Sequence, residues 1–418
     1  MKREFLKYII VFVSLIVVFF AFSVVACMLP NYRIKKNIEK SLPSLLEQGN
    51  YPTVVINTPG YRLDNFTDAL FLSQNYKIDR NKPVNSAMLC SIASWSANRA
   101  ETLEAQIDNK VTQYMDYPRY WHGNTFFLRL LLVFLNYNDI RLLLYLISNI
   151  LLIVLCVKLF QNVGMIKMLA FASGLFFVNI FITHFSMQLF TAVNLAIIAS
   201  ILICSFYKKK KKNIPVVFFV IACLTSYFDL LTTPLLTLGL PLIVFFMIDD
   251  ENSVKEIFKK LISYSGLWLL GFACCWASKW VISTLLTDIN VFYEAYRNIV
   301  HRAGSGEFSR FSAITRNFDL LPLKYIKYVF FSLLIFAACF FDKKGLKKAI
   351  PFFLIAILPY VWLFVLANHS YAHFWFTYRI QAISIISVFM VLINLISWDK
   401  INIVLKKMKA KFIPLKVS

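Results

Sequence analysis

The chain has 418 residues, 59% hydrophobic and 17% aromatic, with a formal net charge of +22. That much apolar surface excludes a simple soluble globular protein and suits a chain whose solvent is largely lipid. The positive balance is carried to a large extent by lysine runs between apolar stretches, where anionic headgroups account for it without nucleic acid as a partner, and the eight cysteines imply no disulfide framework.

The run from Tyr8 to Leu29 holds no charge. It is longer than the apolar part of a cleavable leader, and "SVVACMLP" is a poor cleavage site, so it reads as a retained first helix. A span needs about 20 apolar residues. Candidate spans follow at 8–29, 140–160, 165–184, 188–207, 214–231, 233–248, 263–284, 325–341, 349–367 and 380–397. Between the fifth and sixth, "TTPLLTLGLP" also fits a re-entrant turn.

The short loops orient these spans. Lys208 to Lys212, "KEIFKK", "DKKGLKK", the tail "KKMKAK" and the N-terminal "MKREFLK" all fall on one side, which the positive-inside rule makes cytoplasmic. Both termini are therefore expected in the cytoplasm, with the chain multi-pass in the plasma (inner) membrane. The connections His184–Gln188 and Thr232–Pro234 carry no Lys or Arg, as expected of the outer side. The expected fold is an all-α polytopic membrane protein of about ten transmembrane helices. It is a single integral membrane domain over 1–418, with exoplasmic loops at 30–125 and 286–323 and a basic cytoplasmic tail at 398–418.

The first loop is amphipathic: "SLPSLLEQG", "DNFTDALFLS" and "SANRAETLEAQIDNKV" have helical periodicity with polar starts such as Ser41 and Asp64. Short helices on the membrane surface are predicted. The stretch "TFFLRLLLVFL", 125–135, is too short to cross and predicts an interfacial helix leading into the second span.

On this topology every arginine except Arg3 lies in the outer loops or at the outer ends of spans, and so do His122, His184, His301, His369 and His373. Lysine suffices for topology. Arginine adds a planar fork of donors suited to phosphate or carboxylate, so the outer face is expected to handle an anionic, hydroxylated ligand.

Asp64 and Asp68 are one helical turn apart and share a face. Asp64 alternatively caps a helix starting at Asn65, and Asp68 alternatively complements the helix dipole; Asp68 is the better candidate base. In "MDYPRYWHGN" the aromatics mark the interface, leaving Arg119 and His122 as ligand candidates. Asp229, beside Tyr227 in "SYFDLLTTP", is a carboxylate at membrane depth, which faces either a cavity or a partner such as Lys279. In "NHSYAHFWFTYR", His369 and His373 have a spacing a metal can use but lack a third ligand, and Arg379 suits a phosphate. Arg297, His301 and Arg302 surround "GSG" in the second loop, which reads as a lid or as an ordinary solvated loop. Motifs for ATP hydrolysis and soluble hydrolases are missing from the sequence, as are the paired broken helices of many transporters.

The strings "RLDNFTDALFL", "YPRYWHG" with "LRLLLVFLNYNDIR" behind it, "SYFDLLTTP" and "NHSYAHFWFTYR", together with the large acidic first loop, resemble the GT-C class of integral membrane glycosyltransferases. More narrowly, they resemble a bacterial group associated with surface polysaccharide. Asp64 lies farther beyond the first span than the acidic residue does in many GT-C enzymes. The resemblance implies a polyprenyl-phosphate sugar donor, a glycan or lipid acceptor, and inversion at the sugar carbon. It implies Asp68 or Asp64 as general base, Arg379 and Arg119 with His122, His369 and His373 on the donor phosphate, and Arg297, His301 and Arg302 as a lid. Asp229 and Tyr227 would orient the acceptor or hold a divalent cation, Mg or Mn; no metal site is assigned. The chief alternative is a transporter or flippase of a lipid-linked glycan, and a third reading is a non-catalytic assembly subunit.

Overall fold

The computed structural model describes residues 2–55, 58–251, 253–306 and 308–412. The end of the predicted tail, 413–418, lies outside the described residues. The uncharged run from Tyr8 makes up most of α1 (Lys2–Met28), and Pro30 then starts α2, Asn31–Gln48, whose Ile34, Ile38, Ser41 and Leu45 face inward at helical spacing. Three short helices follow: α3 (Asn65–Lys77), α4 (Pro83–Leu89) and α5 (Arg99–Ile107). A two-residue antiparallel pair, β1 (Ile92–Ala93) with β2 (Tyr114–Met115), and then α6 (Asn124–Leu132) complete this membrane-proximal unit.

The bundle continues with α7 (Tyr137–Val163), started by a capping box of Asn136 and Asp139, then α8 (Met165–Phe177), α9 (Phe190–Lys210), α10 (Ile214–Phe228), α11 (Leu236–Ile248) and α12 (Val254–Leu286). Two amphipathic helices, α13 (Val291–Ala303) and α14 (Arg310–Phe318), precede α15 (Leu323–Cys339). The chain ends with α16 (Gly345–Ile355), α17 (Leu358–Val365), the short α18 (Ala367–Ala372) and α19 (Phe374–Thr377), α20 (Ala382–Asn394) and α21 (Trp398–Phe412).

Among the described residues, 7 helices are long and apolar enough to cross a membrane, or up to 8 if the α14–α15 pair, bent by 83°, is one broken span. The protein is an all-α polytopic membrane protein. The predicted span 165–184 is interrupted: α8 has 13 residues, about 20 Å at the usual rise, and Asn179 then enters the left-handed region (φ 51) before a 3-10 turn over Ile180–Phe185. Asn tolerates that conformation better than other non-glycine residues. The predicted 233–248 span is likewise a helix of only 13 residues, α11, and almost every side chain on it is buried.

Helix α20 sits at the centre, enclosed by α8, α11, α15 and α16, while α1 lies at the periphery with Ile10, Val13 and Val17 exposed. Close approach depends on small residues, as in other membrane bundles. A Cβ on Gly271 of α12 would stand 2.6 Å from the Phe219 carbonyl oxygen of α10. Gly271→Val is therefore expected to separate the two helices and cost about 1–3 kcal/mol, read as a lower unfolding temperature in detergent. Gly266→Val, in open space on the same helix, is the control.

The bundle has two chemically distinct ends. At one, the lysine-rich connections meet acidic partners: Asp249 binds Lys211 (3.0 Å) and Lys260 (2.7 Å), and Asp250 binds Lys348 (3.5 Å). At the other, the membrane-proximal unit is clamped onto the helices. Buried Lys279 of α12 donates to the Ala87 and Met88 carbonyls, which close α4, and the Trp276 and Trp280 indoles both donate to the Arg119 carbonyl.

Arg129 makes the tightest knot. Buried on the inner face of α6, it donates to Ala26 O (2.7 Å), Leu29 O (3.1 Å), Asn75 O (3.0 Å) and Asn31 Oδ1 (2.6 Å). The predicted helix at 125–135 exists, but its arginine is spent on acceptors at the end of α1, in α2 and in α3.

Candidate functional site

At the α3 end of the bundle a cavity of about 140 Å³ opens. All five of the connections expected on the outer side contribute to its wall. Tyr51, Asp64, Phe66, Thr67, Leu70 and Tyr117 come from the first loop and Gln188 from the turn before α9. Leu230 and Thr232 follow α10, Arg302 ends α13, and His369, His373, Trp375 and Phe376 precede α20.

Asp64 is the N-cap of α3: its carboxylate accepts from Thr67 N (3.1 Å) and Thr67 Oγ1 (2.8 Å). Burial pushes this carboxyl up to about 6, against the pull of the two Thr67 donors. Asp68 shares the face, as the spacing requires, but sits a turn deeper and does not line the cavity. It accepts from Tyr137 Oη (2.9 Å), Ser186 Oγ (3.3 Å), Met187 N (3.3 Å) and Gln188 N (3.2 Å). Burial, helped by the Asp64 charge, pushes it up to about 7. The geometry reverses the preference between the two: Asp64 is the available carboxylate, and Asp68 fixes the 186–188 backbone so that Gln188 reaches the cavity.

The opposite wall is a strained turn. Asp229 accepts from Thr232 N (2.8 Å) and, in a short contact, from Thr232 Oγ1, and Leu231 is held at φ 71, an uncommon conformation for a bulky residue. The Leu231 carbonyl accepts from His369 Nε2 at 2.7 Å. Asp229 does not pair with Lys279; its carboxylate folds the turn that carries Thr232. His369 and His373 stand 4.9 Å apart, and His373 stacks on Phe376. Burial, then the Arg302 charge, holds the His373 imidazole down at about 4 and His369 well below its ordinary value, so both are neutral at pH 7.

Several buried polar atoms on the wall have no hydrogen-bond partner among the described residues: Gln188 Oε1, Arg302 Nη1, His373 Nδ1 and Trp375 Nε1. Buried polar groups are rarely left so, and here they converge beside an aromatic wall in which Tyr51 stacks on Phe66 and meets Trp375 edge-on. The set offers a base, a cation, neutral donors and acceptors, and flat apolar faces. That combination suits a hydroxylated ring bearing an anionic group.

Other candidates lie elsewhere. Arg379 is buried and spends its Nη atoms on the Trp375 and Gly60 carbonyls (2.9 and 3.0 Å). Arg119 stacks over Tyr117 and forms an ion pair with Glu294 of α13. His122, at φ 53, bonds the Tyr117 carbonyl at 3.0 Å. Tyr227 stacks on Phe19 of α1 and bonds Ser23. Within the second loop, Arg297 is exposed and the His301 carbonyl accepts from Asn368 Nδ2, so only Arg302 of that trio reaches the cavity. Sequence reasoning missed Gln188, Thr67 and the aromatic wall: Gln188 sits in an uncharged turn with no local signal, and Tyr51, Phe66 and Trp375 come from distant segments that only the fold brings together. No group of three or more His, Cys, Asp or Glu side chains that could hold a metal ion occurs among the described residues.

No family model, curated protein or solved structure matches the chain.

Proposed function

We propose that this chain is a GT-C-type membrane glycosyltransferase that moves a sugar from a polyprenyl-phosphate donor to a hydroxyl of a glycan or lipid acceptor. The observation that carries this reading is the convergence of all five outer connections on one cavity holding Asp64, Arg302 and an aromatic wall. In this reading the seven long helices, the bent α14–α15 pair and the shorter α8 and α11 make ten crossings. The lysine-rich end and both termini face the cytoplasm of the inner membrane.

Asp64 takes the proton of the acceptor hydroxyl, whose oxygen attacks the anomeric carbon. The bond from that carbon to the phosphate oxygen breaks, and the departing phosphate keeps the electron pair, stabilised by the Arg302 guanidinium. Inversion follows from this single displacement. Gln188, His373 and Trp375 orient the sugar, and Asp68 and Asp229 act one layer behind as positioning residues.

Arg302→Gln is expected to lower kcat/KM by about 10²–10³, measured with labelled polyprenyl-phosphate sugars in proteoliposomes containing the purified protein. The decisive outcome of the same assay is a new glycosidic bond. Label that crosses the bilayer without forming one would replace this reading with a flippase.

A further inference from the structure

Helix α13 has two faces with different duties. Toward the protein, Val291 and Ala295 are buried, Glu294 pairs with Arg119, and Arg302 lines the cavity. Positions 294, 298 and 302 follow one another at helical spacing, so the ion pair and the cavity arginine lie on one stripe. Away from the protein, Phe292, Tyr293, Tyr296, Ile299 and Val300 form a second stripe, with Tyr293 64% and Tyr296 65% exposed. Contiguous exposed apolar patches of this kind mark an interaction surface.

The surroundings identify what covers it. Helix α12 delivers α13 through residues 287–290, a tether of about 14 Å at most, and Leu285, 77% exposed at the end of α12, continues the lipid-facing side of that span into the stripe. Across the second loop, the start of α15 exposes Tyr325 and Tyr328 beside Lys324 and Lys327. Tyrosine and lysine of this kind mark the level of the bilayer interface.

We propose that α13 is seated in the headgroup layer of the bilayer, its aromatic stripe covered by lipid, and that it presents Arg302 to the cavity from that level. This placement does not rest on the proposed reaction. It puts the cavity's arginine at the depth of lipid phosphates, so an anionic group on a membrane-anchored ligand meets Arg302 without leaving the bilayer.

The test uses the full chain in vesicles of phosphatidylethanolamine and phosphatidylglycerol, with the non-buried Cys156, Cys274 and Cys339 changed to serine. Nitroxide labels are placed at Tyr296→Cys and, separately, at Val300→Cys. Leu285→Cys serves as the lipid reference and Lys110→Cys as the water reference. The expected result is a ratio of oxygen to nickel-chelate accessibility at 296 and 300 raised toward that of 285. A ratio equal to that at 110 overturns the proposal, and so does a label shielded from both reagents, which would place protein or a second copy on the stripe. Since no turnover is measured, failure here leaves the transferase reading standing, and failure of that reading leaves this result unaffected.

Discussion

Asp64→Asn is expected to abolish sugar transfer, by about 10²–10⁴-fold, with the fold intact. The substitution separates two jobs of one side chain. Asparagine caps a helix about as well as aspartate, so the bond from Thr67 N to the position 64 side chain survives, while the proton acceptor is lost. Asp64→Ala removes both and should add about 1 kcal/mol of destabilisation. The pH dependence follows from the raised carboxyl. The base acts ionised, so kcat/KM should fall as pH drops below about 6. Stability runs the other way. The folded-state value lies above the unfolded one of about 4, so this contribution to stability is complete below the unfolded value and is lost as pH rises through about 6. A permanently neutral asparagine escapes that loss, so Asp64→Asn should unfold no earlier than the parent at pH 7. An inactive protein that unfolds much earlier would assign Asp64 to folding alone.

Arg129→Ala is the substitution expected to cost most in stability, about 3–5 kcal/mol. One buried guanidinium satisfies three carbonyls and the Asn31 side chain, and charged hydrogen bonds of this kind contribute more than neutral ones. Its removal strands those acceptors where water is scarce. Arg129→Lys should recover only part of the loss, because an ammonium cannot reach acceptors spread around a planar fork. Thermal unfolding in detergent measures both, and faster proteolysis near residue 30 would show that α1 has come loose.

These two residues also show what the sequence made legible. Periodicity and charge placed most spans, because an uncharged run such as Tyr8 to Leu29 has one solution in lipid. Asp64 was legible as a cap and as a candidate base because both readings depend on neighbours three or four residues away. Arg129 was not. The carbonyls it serves lie at the end of α1 and in α3, far away in the chain, and nothing beside it in sequence announces them. Arg302 and Arg379 fared alike: residue type made each a candidate for an anion, but only the packing of α13 and α18 to α20 decides which guanidinium opens on the cavity and which one ties Gly60 to Trp375. Interruption of the 165–184 span was hidden for a different reason, since hydropathy reads through an Asn179 kink that costs only one residue of polarity.

The cavity wall draws on residues from Tyr51 to Phe376, nearly the whole chain. At ordinary rates of synthesis, tens of seconds on the order of a minute or less separate the emergence of those two positions from the ribosome. Throughout that interval Asp64 stands in the membrane-proximal unit without Arg302, His369, His373 or Trp375 opposite it. A nascent or truncated chain therefore lacks the complete cavity wall, which closes only when the last helices join the bundle.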